Sequence, residues 1–273
     1  MRAGNIDVWN DVDANSAKEL KAGNPPIVIL TTPNAGINMV LIQPQDELLS
    51  DVRIRKAIAM ALDGATLRDE LYEGYGSVGT SLVPTTSANY NDVEKVGIPY
   101  DPEGAKRLLK EAGYKGQPLV INTNAQFPIM KDTAILVQAM LKSVGLEARV
   151  NVMEFAAQMD RYYKGNFQLS IFNAVQYLDP VFSFDRYIGG PSASGDKVWR
   201  TTAANALLSR LFAAPDKAAK QAAFDDLHRQ YLEDVPAAIW ANRSTIAGVS
   251  SKVSGFAPWS GGKPRFWNVS LAP

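Results

Sequence analysis

Residues 50–76 read SDVRIRKAIAMALDGATLRDELYEGYG, and residues 100–114 read YDPEGAKRLLKEAGY. Ser50 or Asp51 stands where a side-chain oxygen can accept from the free N–H groups of a first helical turn. Behind them Ile54, Ile58, Ala61 and Leu62 fall on one stripe at a period of 3.6, which predicts an amphipathic helix. Asp63-Gly64 breaks that stripe, and a further short helix is expected over 66–71. Asp101-Pro102 opens another helix, because aspartate caps the end and proline at the first helical position gives up no hydrogen bond. Ala105, Leu108, Leu109 and Ala112 make its buried stripe, and Gly113 can take the left-handed stop. The two helices flank an irregular crossing over 79–100. The stretch carries no nucleophile motif, no metal-ligand cluster and no phosphate loop.

Upstream, strands are expected over 5–9, 27–30 and 38–43, with a helix over 14–22 and a turn at the TTPNAG of residues 31–36. Downstream the rhythm alternates. Strands are expected over 119–123, 148–152 and 169–173, with helices over 130–144 and 155–163 between them. That βαβαβ order is best served by a sheet flanked by helices. A short aromatic helix after Asp179-Pro180, a Gly/Ser-rich loop, helices over 203–212 and 217–234, and strands over 237–241 and 245–249 complete the pattern. The fold class is therefore α/β.

Composition narrows the function. The 273 residues are 46% apolar and 21% charged, ordinary for a globular protein. Basic and acidic side chains balance at 28 each, so no long-range field favours nucleic acid or an anionic membrane surface, and no nucleic-acid partner is expected. Cysteine is absent, which removes disulfides, thiol catalysis and cysteine-based zinc sites. No metal or other cofactor is implied by the spacing of the lone His228 and the carboxylates. The one GxG, Gly74-Tyr75-Gly76, follows a helix and not a strand, so a dinucleotide site is not indicated.

DVRIRKAIAMALD (51–63) is similar to the "DVRVRQAINYAID" helix of the extracellular solute-binding proteins that serve peptide- and nickel-type ABC importers. YDPEGAKRLLKEAGY resembles that family's "YDPEKAKALLAEAGY", and KVSGFAPWSGGKPRFWNVSL (252–271) resembles its closing segment with an "FWNV" strand. The three matches come in the family's order and span nearly the whole chain. The resemblance implies a periplasmic-binding-protein-like type II clamshell, here mainly the continuous second lobe with remnants of the first. On that plan 1–36 is a remnant of lobe I, 37–243 is lobe II, and 244–273 is the return segment of lobe I. The two remnants are expected to pair with each other, across a dimer, or to pack poorly. The rest of lobe I, and an export signal, are expected in an N-terminal part beyond this chain. The resemblance also implies a periplasmic location, ABC transporter permease subunits as partners, and a small-molecule or oligopeptide ligand.

In peptide-binding members an aspartate three residues before the "DP" dipeptide neutralises the peptide's ammonium, and an arginine ahead of the helix at 130–144 takes its carboxylate. Gln176 and Asn124 stand at those places here. With both ionic anchors replaced, a buried peptide terminus would lack its partner. The surrounding amides and aromatics, Asn124, Gln126, Phe127, Asn173, Gln176 and Tyr177, with Arg186 and Trp199 flanking the Gly-rich loop, suit a neutral polyhydroxylated ligand. Sugars, opine-like conjugates and blocked peptides qualify. Asp179 reads as a helix cap. Two other classes stay open at this point: a glycosidase-like enzyme using Asp179 and Asp185, and a receptor or scaffold module that keeps the fold without transport.

Overall fold

The computed structural model describes residues 1, 3–173, 179–186 and 198–272. In chain order the elements are β1 (Val8–Asn10), α1 (Ala14–Ala22), β2 (Val28–Ile42), α2 (Val52–Met60), α3 (Gly64–Tyr72), β3 (Ser77–Val78), α4 (Pro102–Glu111), β4 (Leu119–Asn124), α5 (Pro128–Ser143), β5 (Ala148–Met153), α6 (Phe155–Tyr163), β6 (Leu169–Asn173), α7 (Val181–Phe184), α8 (Thr202–Phe212), α9 (Lys217–Asp234), β7 (Ala237–Val249), β8 (Val253–Ser254) and β9 (Ser270–Leu271). The main sheet runs β1-β7-β2-β6-β4-β5, with β3 also on β7. β4 pairs in parallel with β5 and β6, as two successive βαβ units require, and the remaining pairs are antiparallel.

The Asp51 and Asp101 caps follow the sequence, whereas Asp63, read there only as a break, caps α3, which starts at Gly64 and not at 66. The Asp51 carboxylate accepts from Arg53 N at 2.8 Å, that of Asp63 from Ala65 and Thr66 N at 3.1 Å, and that of Asp101 from Gly104 N at 2.8 Å. Arg55 explains the second arginine of the α2 motif. Its buried guanidinium donates to Leu49 O and Asp234 O, both at 2.8 Å, and so ties the start of α2 to the C-terminal carbonyls of α9.

β2 and β7 differ from expectation. Each was expected as two strands, yet each is one, and they pair from Val28↔Val249 to Leu41↔Ala237. TTPNAG is not a turn between strands but a bulge within β2, where the register shifts between Pro33 and Ile37. The Asn34 side chain fills in for the missing ladder bonds. It accepts from Gly36 N at 2.8 Å and donates to Thr245 Oγ1 at 3.1 Å. A side chain at Gly36 would sit 2.8 Å from Asn34 Oδ1 and 3.0 Å from Arg243 Cδ, so glycine is needed there.

Beyond the bulge β2 is buried on both faces and serves two cores. Val40 and Ile42 join Ile58, Leu67, Leu109, Ile121, Val137 and Trp240 under α2–α5, while Ile37, Met39 and Leu41 join Tyr162, Phe172, Trp199, Phe224 and Tyr231 under α6–α9. The terminal segments form a smaller unit. β1 and the first half of β2 both pair with the end of β7, and Ala17, Leu20, Ile27 and Ile246 make a third cluster. Residues 1–36 and 244–273 thus pair with each other, and they leave Trp9, Val28, Phe266 and Trp267 exposed.

Candidate functional site

Where β4 ends, a buried amide network fixes the chain's path. Asn124, fully buried, accepts from Phe127 N at 3.0 Å and donates to Gln158 Oε1 at 2.7 Å. Gln158 in turn donates to Ser170 Oγ and Ile171 O at 3.0 and 2.9 Å. Four elements, β4, α5, α6 and β6, are thereby held in one register by groups whose bonds stay inside the protein. The turn pushes Phe127 outward, 41% exposed, where its ring meets Phe155 edge to face.

Phe127, Phe155, Phe172, Met130 and Met159 wall a cleft of about 380 Å³, and Asn173, Arg186, Arg243 and Asp11 supply its polar groups. That size and mix, an apolar wall with a few convergent polar groups, fits a small-molecule site. Arg243 lies on β7 with no ion-pair partner among the described residues, and its Nε is buried without a hydrogen bond. Asp11, held in a left-handed conformation at φ 60° between β1 and α1, makes no ion pair with Arg243 or any other described residue. Both charges reach Tyr72. Burial lifts its hydroxyl above the usual range, the Arg243 cation pulls it down and the Asp11 anion pushes it up. Asp11 and Arg243 thus stand in the cleft with no ion pair between them, beside an aromatic and thioether wall, and Arg186 is a second cation of the lining.

Of the residues singled out from sequence, Phe127, Asn173 and Arg186 line this cleft. Asn124 lies beneath it with its hydrogen bonds committed to Gln158 and Phe127, so it shapes the wall and offers no free amide. Gln126 is exposed on the same turn but does not line the cleft. Gln176 and Tyr177 lie outside the described residues. Trp199 is elsewhere: it is 1% exposed, packs edge-on to Tyr231, and donates from Nε1 to Asp234 Oδ2 at 2.7 Å. An indole with both its ring and its N–H satisfied in the core has nothing left for a ligand. Asp179 accepts from Val181 N at 3.0 Å and from Lys220 Nζ at 2.8 Å, a cap and an ion pair. Arg243, Asp11, Phe155, Met159 and Phe172 were missed. Arg243 did leave a trace, as the one charge in the otherwise uncharged AAIWANRSTIAGV.

The profile of bacterial extracellular solute-binding proteins, family 5 Middle, matches residues 1–195. The chain belongs to that family. Among its curated relatives, heme-binding protein A of Haemophilus influenzae is 23% identical over 99% of this chain and 51% of its own length. The dipeptide-binding protein of Escherichia coli is 24% identical over 96% of this chain and 50% of its own. The chain spans about half the length of these curated relatives. Among solved structures, HbpA2 from Haemophilus parasuis superimposes with a TM-score of 0.86 at 22% identity, covering 100% of this chain and 55% of that one. The oligopeptide-binding protein AppA from Bacillus subtilis, in complex with a nonapeptide, gives 0.80 at 21%, covering 100% and 57%. The chain thus has the α/β fold of family 5 solute-binding proteins, and its named relatives are binding proteins, not enzymes. Among the described residues no helix is long and apolar enough to cross a membrane.

Proposed function

We propose that this chain is the greater part of the ligand-holding half of an ABC importer's substrate-binding component, working in the periplasm and delivering its solute to permease subunits. The ligand sits in the cleft between Phe127, Phe155, Met159 and Arg243. The further wall comes from sequence corresponding to the half of the longer relatives that this chain does not span. The division at 36/37 and 243/244 falls where β2 and β7 cross through the bulge, between the register pairs Pro33↔Ser244 and Ile37↔Asn242. Two strands joined at an irregular register give few residues to bend, which suits a hinge whose closure ligand binding would favour.

The observation that carries the reading is the pair of unspent charges, Asp11 and Arg243, beside an apolar wall. A neutral polyhydroxylated guest would leave both charges facing only its hydroxyls. A zwitterionic, peptide-like guest with an apolar side chain uses all three features. Its ammonium goes to Asp11, its carboxylate to the planar fork of Arg243, and its side chain to the phenylalanines and methionines. The anchors expected at Asn124 and Gln176 are on this reading replaced from the other side of the cleft. The dipeptide-binding relative supports the same ligand class.

Calorimetry with Leu-Phe, N-acetyl-Leu-Phe and Leu-Phe-amide tests it. With one wall of the cleft in this chain, free Leu-Phe should bind at roughly 1 mM, about −4 kcal/mol, and each capped form about tenfold more weakly. Equal affinity for the three, or turnover of any of them, would overturn the reading.

A further inference from the structure

A second groove, of about 570 Å³, lies on the sheet away from the cleft, at the N-terminal halves of β4 and β5. Its floor is set by the strand repeat. Val120 and Asn122 on β4, and Arg149 and Asn151 on β5, are alternate residues and therefore share one face of the sheet. α6 covers that face only towards the strands' C-terminal ends, where Gln158 meets Asn124. Its last turn brings Arg161 to the groove, and residues 165–168 close the rim. β5 is the edge strand, so the groove opens to solvent on one side.

The polar groups here are unevenly spent. Asn122 is 2% exposed, accepts from Asn151 Nδ2 at 3.1 Å, and its own amide N–H₂ has no partner among the described residues. Arg149 and Arg161 make no ion pair or hydrogen bond among the described residues. Asp46, the one carboxylate lining the groove among the described residues, is occupied. It accepts from Leu48 and Leu49 N at 3.1 and 3.2 Å and from Gln168 Nε2 at 3.1 Å. Gln168 is itself fixed by accepting from Val120 N at 2.9 Å. Left without a partner among the described residues are the guanidinium forks of Arg149 and Arg161 and the Asn122 amide N–H₂, together with the side-chain amides of Gln45 and Asn166 and the Asn151 Oδ1.

We propose that this groove is a second binding site, for a small organic anion bearing carboxylate or phosphate oxygens. Guanidinium forks match such oxyanions bidentately, and the floor amide of Asn122 gives a third, neutral donor at a fixed depth. The groove's volume lies in the range of small-ligand sites. Its residues are separate from those of the cleft, so the proposal stands whether or not the cleft takes a zwitterion.

The test is a titration of the full ¹⁵N-labelled chain with citrate and, separately, with inorganic phosphate, at ionic strength matched with sodium chloride. The readout is the side-chain amide resonance of Asn122. The expected result is a saturable shift with at least one of the two anions. Arg149→Ala and Arg161→Ala should each weaken it about tenfold, and Lys at either position should restore part of the affinity. Both arginines are exposed, so unchanged melting temperatures will show that the variants fold. If the Asn122 resonance moves with neither anion, or titrates alike in the wild type and both alanine variants, the proposal is wrong.

Discussion

Phe127 and Phe155 meet edge to face on the cleft wall, with ring centroids 5.4 Å apart and planes at 87°. The contact joins the turn before α5 to the first residue of α6, and both rings keep area free for a guest. Because Phe127 is half-exposed, Phe127→Ala should cost less than about 1 kcal/mol of stability. The same change should weaken Leu-Phe binding about tenfold through lost contact area. Thermal melts and calorimetry on one preparation separate the two effects, and unchanged affinity would take Phe127 out of the wall.

Asn124→Ala should behave in the opposite proportion. It strands the Gln158 Oε1 acceptor and the Phe127 N–H donor in a dry interior, at about 1–3 kcal/mol for such unmade bonds. Chemical denaturation should show that loss. A variant as stable as the wild type would mean that the amide network does not hold the four elements together.

Asp234 offers a control far from any proposed ligand. Its carboxylate accepts from Trp199 Nε1 and Thr201 Oγ1, both at 2.7 Å. Asp234→Ala should lower stability by about 2–3 kcal/mol, since two donors lose a charged acceptor. Affinity for Leu-Phe should stay the same. A fall in affinity without a fall in stability would restore Trp199 as a ligand residue.

The pH dependence has two buried contributors with opposite signs. Burial, with Asp225 nearby, holds the Glu94 carboxyl above its usual range, and its Oε1 has no partner among the described residues. A raised folded value means that Glu94's contribution is fully present below the unfolded value and lost as pH rises through the folded one. Glu94→Gln removes that loss, so the variant should be more stable at pH 7 by about 1–2 kcal/mol, with the advantage fading towards pH 4. His228, whose Nε2–H donates to Val96 O at 2.7 Å, is pushed down by burial. Its share is present above the ordinary imidazole value and lost as pH falls. Because His228 is common to both proteins, melts of the wild type and Glu94→Gln across pH isolate the glutamate, and no difference at pH 7 would contradict its placement.

The helices were legible because their signals are local. Asp51 and Asp101 cap within three residues of where they stand, and the βαβαβ order follows from period alone, while Asp63, read as a break, proved to be the cap of α3. The long strands were not legible, because what carries β2 through TTPNAG is a bond from Asn34 to Thr245, over 200 residues away. The site was half legible for the same reason. Phe127 and Asn173 sit beside the βαβ turns that position them. Asp11 and Arg243 reach the cleft only because β1 and β2 flank β7, a pairing no local pattern announces. Asn124 illustrates the converse: an amide at the expected place was turned inward by Gln158, a partner 34 residues on.

Two of the chain's seven methionines, Met130 and Met159, line the cleft, which gives the most direct test. In a chain labelled with ¹³C at the methionine methyls, Leu-Phe should shift those two resonances saturably, and Arg243→Ala should abolish most of the response. Shifts confined to the other methionines, or an unchanged titration in Arg243→Ala, would contradict a zwitterion held between Arg243 and the aromatic wall.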